Sequence, residues 1–173
     1  MANDKQSINE PQIWEWLSAI CDPEIPVLSI VDLGIIRKIN IEPSNDIDQA
    51  NVEIIITPTY SGCPAMNTIE AEIAYTLTQQ GLSFVKITTV LSPAWTTDWL
   101  SAAGRAKLLA YGIAPPTKTS SNKQALFAAP PVVACPQCGS TKTQMISNFG
   151  STPCKALYRC LNCLEPFDYF KCH

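Results

Sequence analysis

Two pairs of cysteines near the carboxyl end have the spacing of metal ligands. Cys135 and Cys138 form one Cys-x-x-Cys pair, and Cys160 and Cys163 form the other, with 21 residues between the pairs. The short spacer lets both sulfurs of a pair point at a common centre, and four thiolates in tetrahedral geometry suit structural zinc. Iron in the same kind of cage and reduced thiols without an ion are the alternatives. We predict a zinc site at these four sulfurs.

Two further cysteines and the single histidine of the chain lie close to this motif. If the strands on either side of the second pair run antiparallel with Cys160 opposite Pro166, then Cys154 lies opposite Cys172. His173 follows directly and offers an imidazole. We therefore predict a second thiol site at these residues, with the packing of two small apolar side chains at the end of a ribbon as the alternative.

Cys63 stands directly before Pro64, where the pattern predicts the start of a helix. Free NH groups and the positive end of the helix dipole stabilise a thiolate at such a position, so we predict a lowered pKa and a sulfur that acts as ligand or nucleophile. An inert buried cysteine is the alternative. No second cysteine at x-x spacing supports a disulfide mechanism, and the sole histidine lies in the other module.

Asp22 and Glu24 place two carboxylates in a loop that prolines stiffen. They could ligate iron or accept hydrogen bonds from the Cys63 loop. On spacing alone, the pattern favours a solvated turn that ends a helix.

The elements that must position these residues follow from apolar periodicity and from helix and turn signals. The order is helix, strand, strand, helix, strand, helix, which predicts an α+β fold with a mixed three-stranded sheet and helices over one face. A small β zinc ribbon follows. The predicted elements are a helix capped by Asn9 that ends at Asp22-Pro23, strands 34–41 and 51–57, a helix from Pro64 to Gly81, a strand 84–91 and a helix 98–110.

The composition divides the chain into three parts. Residues 115–131 contain paired prolines and polar residues, which is linker composition. Residues 1–114 hold six bases and thirteen acids, whereas residues 132–173 hold four bases and two acids. We predict a larger domain over 1–114, a linker over 115–131 and a four-cysteine zinc-ribbon module over 132–173. So short a module needs a metal or a partner to fold.

Charge and hydropathy exclude several classes of function. The net charge is -3, which argues against a nucleic-acid partner. No apolar run reaches the roughly 18 residues of a membrane span, and the first residues contain no hydrophobic signal core. We expect a cytoplasmic protein without a membrane partner. Cysteines grouped in pairs indicate metal or thiol chemistry rather than a secreted disulfide framework.

Four loop motifs occur in a fixed order in the larger domain. They are Asp22-Pro23-Glu24-Ile25-Pro26, Val31-Asp32-Leu33-Gly34-Ile35, the segment 59–64 with Cys63, and Ser92-Pro93-Ala94-Trp95-Thr96. Over about residues 8 to 114 the chain resembles the SufT-like family of iron-sulfur cluster assembly domains.

The carboxyl-terminal segment adds a second resemblance. Its motifs are Cys135-Pro136-Gln137-Cys138-Gly139-Ser140, Asn148-Phe149-Gly150-Ser151-Thr152, the segment 154–160, and Glu165-Pro166-Phe167-Asp168. With this tail, the chain resembles the PaaD family, accessory subunits of the bacterial phenylacetyl-CoA epoxidase system.

The resemblance implies a role beside a multicomponent monooxygenase of aerobic phenylacetate catabolism. It implies that Asp22, Glu24, Thr59 and Cys63 line a pocket that holds iron or an iron-sulfur cluster transiently. The clients would be the oxygenase or reductase subunits of the epoxidase, and the chain would mature their metal centres without catalysing a reaction alone. A structural subunit that handles no metal is the main alternative. The remaining alternatives for the function are a thiol-dependent transferase and a zinc ribbon that binds nucleic acid.

Overall fold

The computed structural model describes residues 8–43, 50–116 and 132–171. The chain forms two compact units that divide between Ala94 and Trp95. Most of the predicted linker, residues 117–131, lies outside the described residues.

The first unit begins with a capped helix, α1 (Glu10–Ser18). The side chain of Asn9 accepts a hydrogen bond from the Gln12 backbone NH at 3.0 Å, and the Gln12 side chain accepts one from the Asn9 backbone NH at 3.0 Å. This reciprocal capping box satisfies two NH groups that the first helical turn leaves without partners. The predicted helix start at Asn9 is confirmed.

Three strands and one long helix complete the first unit. The strands are β1 (Ile36–Pro43), β2 (Ala50–Ile56) and β3 (Phe84–Thr89), and helix α2 (Met66–Gln79) lies between β2 and β3 in the chain. β2 is the central strand; it runs antiparallel to β1 and parallel to β3. A parallel pair needs a crossover connection, which α2 supplies. The predicted mixed three-stranded sheet is confirmed.

The core of the first unit lies between the sheet and its helices. Alternate residues of β2 are buried while Glu53 between them is partly exposed, as expected for a strand with one covered face. Both α1 and α2 present apolar stripes to this core, and α2 contacts β3. The buried side chains from these three elements are Ile13 and Leu17, Val52, Ile54 and Ile56, and Met66, Ile69, Ile73 and Leu77.

The opposite face of the sheet carries a polar network centred on Glu53. Its carboxylate lies 2.8 Å from Lys86 Nζ and accepts hydrogen bonds from Asn40 at 3.0 Å and Thr88 at 2.8 Å. These partners come from β1 and β3, so the network joins all three strands. Lys86, then Asn40 and Thr88, stabilise the charged form and lower the pKa of the Glu53 carboxyl to about 2.

Acid is therefore expected to weaken the first unit through Glu53. A carboxyl whose pKa is lower in the folded than in the unfolded state adds stability above pH 4.5, and that stability is lost as the pH falls through about 2. Glu53→Gln removes this titration. We expect the urea midpoint of the wild type to fall more steeply between about pH 5 and about pH 3 than that of Glu53→Gln. The control Glu72→Gln, at an exposed position of α2, should follow the wild type, and equal slopes for all three proteins would contradict the prediction.

The second unit is built on a four-stranded sheet. Helix α3 (Ala102–Ala110) leads into the short strand β4 (Ile113–Ala114), and the ribbon supplies β5 (Thr143–Ser147), β6 (Lys155–Cys160) and β7 (Pro166–Phe170). The spatial order is β4, β7, β6, β5, with β4 parallel to β7 and the ribbon strands antiparallel.

Helix α3 belongs to this second unit. This helix packs on β4, which hydrogen-bonds to the ribbon strand β7. Ser101 caps α3 by accepting the Gly104 backbone NH at 2.8 Å. The division at residues 114 and 131 stays a prediction. The ribbon strands share a sheet with chain that precedes the linker, and this adds core to a module otherwise too short to fold alone.

Aromatic side chains form the core of the second unit. The Trp95 ring meets Phe170 edge-on with centroids 6.1 Å apart, and Tyr158 stacks on Phe167 at 5.8 Å. Tyr169 packs edge-on against Tyr158 at 5.6 Å. Such pairs add stabilisation beyond the area that they bury.

The two central ribbon strands pair one residue away from the predicted register. Arg159 lies opposite Pro166, whereas the prediction placed Cys160 there. The backbone NH of Cys160, the last residue of β6, donates instead to the Glu165 carbonyl at 2.9 Å. The residue that reaches Cys154 is Lys171, whose NH donates to its carbonyl at 2.9 Å.

The register argument for placing Cys154 opposite Cys172 is therefore wrong, since a shift of one residue exchanges the faces of a strand. Cys172 and His173 lie outside the described residues, and a second thiol site there stays a prediction. Separately, none of the helices in the described ranges is both long and apolar enough to cross a membrane.

Candidate metal centre and thiol site

The four predicted ligands of the ribbon come together in space. The sulfur atoms of Cys135, Cys138, Cys160 and Cys163 all lie within 4.8 Å of one another. Short sulfur-sulfur distances join one Cys-x-x-Cys pair to the other: Cys135 Sγ lies 3.7 Å from Cys163 Sγ, and Cys138 Sγ lies 3.6 Å from Cys160 Sγ. Four sulfur donors at these separations fit one tetrahedral ion.

Two tight turns hold the sulfurs in place. In the first turn the Gly139 NH donates to the Cys135 carbonyl at 2.9 Å. In the second turn, between β6 and β7, the backbone NH groups of Asn162 and Cys163 both lie 3.4 Å from Cys160 Sγ. Backbone donors aimed at a ligating sulfur stabilise its negative charge and orient it.

Backbone donors, burial and neighbouring sulfurs shift the pKa values of Cys160 and Cys163 in opposite directions. The backbone NH of Cys163, aided by that of Asn162, lowers the pKa of Cys160 to about 6. For Cys163, a backbone hydrogen bond at Glu165 lowers the pKa, but burial and the neighbouring sulfurs of Cys160, Cys138 and Cys135 outweigh it and raise the pKa to about 12. Of these two thiols, Cys160 therefore ionises first. A divalent cation would hold all four sulfurs as thiolates, since a coordinated thiol is deprotonated outright.

The two turns differ in the residue that follows the second cysteine of each pair. Gly139 has a φ of 73°, and Leu164 at the matching position of the second turn has a φ of 67°. The left-handed conformation is natural for glycine and unfavourable for leucine.

Cys63 lies in the loop between β2 and α2. The helix starts later than predicted, with Ala65 as its N-cap and Met66 as its first residue. Burial raises the pKa of the half-buried Cys63 thiol, and the charges of Glu24 and Asp22 raise it further. The Ala65 backbone NH lowers the pKa, as expected at a helix start, but this effect is too small to reverse the rise. The predicted lowering of the pKa is wrong, because burial and two nearby acids outweigh the helix start.

The two carboxylates occupy the loop after α1. Asp22 is buried, and its Oδ1 accepts the backbone NH groups of Glu24 and Ile25, each at 2.8 Å. The expected solvated turn is therefore wrong for Asp22, which organises the loop from inside. Glu24 is half-buried. Both acids act electrostatically on Cys63, so the structure brings these three predicted residues into one neighbourhood.

Three further features of the first unit were not predicted. The Tyr60 side chain lowers the pKa of Cys63 and partly offsets its rise. Cys21 offers an exposed thiol one residue before Asp22. Asp32 is buried and exchanges hydrogen bonds with Ser29, whose hydroxyl donates to Oδ2 at 3.0 Å and accepts the Asp32 backbone NH at 3.0 Å. A reciprocal Ser-x-x-Asp pair is a recognisable local signal, whereas the positions of the tyrosine and the thiol depend on the fold.

The remaining predicted residues are placed as follows. Thr59 is half-buried in the same loop as Cys63. Cys154 is buried, with its sulfur 3.0 Å from Thr152 Oγ1. Within the described ranges, the four ribbon cysteines are the one group of three or more cysteine, histidine or acidic donors close enough to hold an ion.

Two family models match separate parts of the chain. The family model described as PaaD zinc beta ribbon domain matches residues 119–171. The family model described as iron-sulfur cluster assembly protein matches residues 10–84. The four clustered cysteines lie in the first match, and Cys63 with its two acids lies in the second.

Two solved structures resemble part of the chain at 25% identity and a TM-score of 0.49. One is a domain of unknown function from Bacillus anthracis, with 57% of this chain and 90% of that chain covered. The other is a conserved hypothetical protein from Thermotoga maritima, with 62% of this chain and 98% of that chain covered.

One curated relative matches over nearly the whole length. It is the protein of Escherichia coli (strain K12) described as the putative D subunit of 1,2-phenylacetyl-CoA epoxidase. The two chains are 48% identical over 161 residues, with 93% of this chain and 92% of the relative covered. The chain therefore belongs to the PaaD family of putative 1,2-phenylacetyl-CoA epoxidase subunits, with an iron-sulfur assembly domain and a metal-binding ribbon.

Proposed function

We propose that this chain is an accessory subunit that helps to assemble the iron or iron-sulfur centres of a phenylacetyl-CoA epoxidase in the cytoplasm. The observation that carries the proposal is the half-buried Cys63 thiol beside Asp22 and Glu24, within the segment that matches the assembly family. Its clients are the oxygenase or reductase subunits. The chain alone catalyses no reaction.

The protonated state of Cys63 suits a transient carrier. When Fe²⁺ binds, a sulfur-iron bond forms, the sulfur-hydrogen bond breaks, one proton leaves to water, and no electron is transferred. Because burial and the two acids raise the pKa of the thiol, the proton competes with the ion for the sulfur. The acids in turn attract the cation. Such a site loads iron and releases it again, which a maturation factor requires.

The ribbon has a different task in this proposal. Zinc is the ion that a closed set of four thiolates suits best, and a site with four protein ligands leaves no open position for catalysis. The ion therefore stabilises the second unit, while Cys63, Asp22, Glu24 and Thr59 of the first unit handle the cargo.

Replacing Cys63 by serine tests the carrier role. We expect Cys63→Ser to reduce the iron content and the activity of the epoxidase in cells by about tenfold or more, because a hydroxyl is a far poorer ligand for iron than a thiolate. The measurements are metal analysis of the purified epoxidase and turnover of phenylacetyl-CoA. Cys21→Ser is the matched control, since it removes an exposed thiol of the same unit.

Two outcomes would contradict the carrier role. The first is an unchanged iron content with Cys63→Ser. The second is an equal loss with Cys21→Ser, which would indicate a general effect of removing a thiol.

A structural subunit that handles no metal is the second candidate. One observation favours it: in the part of the chain that the structure describes, Cys63, Asp22 and Glu24 do not form a group with donors close enough for one ion. Under this alternative, Cys63→Ser leaves epoxidase iron unchanged, while deletion of the whole chain prevents assembly of the complex.

A further inference from the structure

Cys138 differs from the other three cysteines of the cluster in its contact with solvent. It is the one exposed residue of the four, whereas Cys163 is half-buried and Cys135 and Cys160 are 2% and 0% exposed. Gly139 follows Cys138, and a Cβ added there would meet no atom within 4 Å beyond its two neighbours in the chain. The space beside Cys138 is therefore open to a small reagent from solvent.

Hydrogen-bond donors are also distributed unevenly over the sulfurs. Two backbone NH groups lie 3.4 Å from Cys160 Sγ, and the backbone NH of Glu165 donates to Cys163. In the described ranges, Asn162 is the one donor other than a sulfur that reaches Cys138 Sγ, and its side-chain amide lies 3.9 Å away. A donor stabilises the charge of a thiolate and makes it a weaker nucleophile. Cys138 therefore combines the best access with little of the stabilisation that lowers the reactivity of Cys160.

A second sulfur stands close enough to react after Cys138. Cys160 Sγ lies 3.6 Å from Cys138 Sγ, and a disulfide requires the two sulfurs to approach by about 1.6 Å more. An exposed thiolate beside a second cysteine is the kind of position that oxidants attack in redox-sensitive proteins. When the four sulfurs hold a divalent cation they are deprotonated outright, so the attacking thiolate is present at neutral pH.

We propose that Cys138 is the site at which hydrogen peroxide modifies the ribbon, with Cys160 as the sulfur that completes a disulfide. The inference goes beyond the proposed function, because it assigns a chemical reactivity to a cluster that otherwise has only a structural task. It does not depend on the carrier role of Cys63.

Hydrogen peroxide is the oxidant in both steps. The Cys138 thiolate attacks one peroxide oxygen: a sulfur-oxygen bond forms, the oxygen-oxygen bond breaks and hydroxide leaves. The Cys160 thiolate then attacks the sulfur of the resulting sulfenic acid: a sulfur-sulfur bond forms, the sulfur-oxygen bond breaks and a second hydroxide leaves. The two sulfurs together lose two electrons, and the peroxide gains them. Cys135 and Cys163 are then the two ligands that the ribbon retains.

Mapping the modified cysteines of the zinc-loaded protein tests the assignment. The protein is treated with limiting hydrogen peroxide, the remaining thiols are alkylated, and the peptides are identified by mass spectrometry. We expect Cys138 in at least about tenfold more of the oxidised product than Cys135, joined to Cys160 by a disulfide. A chromophoric chelator should detect zinc released in proportion to that disulfide. First oxidation at Cys135, Cys160 or Cys163 would overturn the proposal.

Two histidine variants separate Cys138 from its neighbours. Imidazole replaces a thiolate in many zinc sites, so Cys138→His and Cys163→His each keep four ligands. We expect Cys138→His to release zinc to peroxide about tenfold more slowly than the wild type, because it lacks the exposed sulfur. Cys163→His is the matched control; it keeps that sulfur and should release zinc like the wild type.

Equal slowing in both variants, or no slowing in Cys138→His, would refute the assignment. If a histidine variant does not bind zinc, the mapping of the wild type still decides the question. Neither measurement involves Cys63, so the proposed function is tested separately.

Discussion

Removing the metal from the four-cysteine cluster is expected to unfold the second unit and to leave the first unit folded. Cys160 is fully buried among the side chains of Tyr158 and Phe167 as well as belonging to the cluster, so loss of the ion exposes the core. Apparent binding free energies of about 10–16 kcal/mol in zinc-finger peptides show how strongly such an ion is linked to folding. The loss of even one third of that binding free energy lowers the melting temperature of a unit of this size by about 20 °C.

Hydrogen exchange resolves this effect along the chain. After chelation, or in Cys160→Ser, amides of β5, β6 and β7 should lose protection while those of α1, α2 and β2 keep it. Cys154→Ala is the matched control, because it removes a buried thiol next to β6 and spares the cluster. Retained protection in the ribbon after complete removal of the metal would contradict the prediction and would mean that the aromatic core suffices.

The second large effect is expected at the ion pair of Lys155 and Asp168. Lys155 Nζ lies 3.6 Å from Asp168 Oδ2, and the lysine side chain is only 8% exposed. The Ser151 hydroxyl also donates to Oδ2 at 3.4 Å, and a Cβ added at Gly150 would lie 2.8 Å from Oδ1. Asp168→Asn therefore keeps the shape of a close-packed site and leaves a buried cation without its counter-charge.

We expect Asp168→Asn to cost about 3 kcal/mol of the free energy of unfolding of the second unit. This is the lower end of the range for a broken buried pair, because the Asp168 side chain is 25% exposed and water reaches it. Urea denaturation measures the loss. Adding Lys155→Met to Asp168→Asn should restore most of the stability, since the uncompensated charge is then gone. A double variant as unstable as the single one would show that the cost lies in packing.

Much of the fold and part of the candidate site were predictable from short sequence patterns. The cap at Asn9 and the order of the elements were recognised from periodicity, because helix and strand repeats are written in neighbouring residues. The four ribbon ligands were recognised for the same reason: two-residue spacing forces both sulfurs of a pair toward one centre. The sequence motifs also identified Asp22, Glu24 and Cys63 as candidate site residues.

The properties of those residues required the folded chain. Whether the pKa of Cys63 rises or falls depends on burial and on acids about forty residues away, which outweigh the helix start that the local pattern revealed. The register of β6 and β7 differs by one residue from the prediction, because the length and geometry of the turn between the two strands fix it. Local spacing thus decides which atoms are able to bind a metal. Burial, charge and the packing of α3 with the ribbon sheet arise only when distant segments meet, and these decide how the atoms behave.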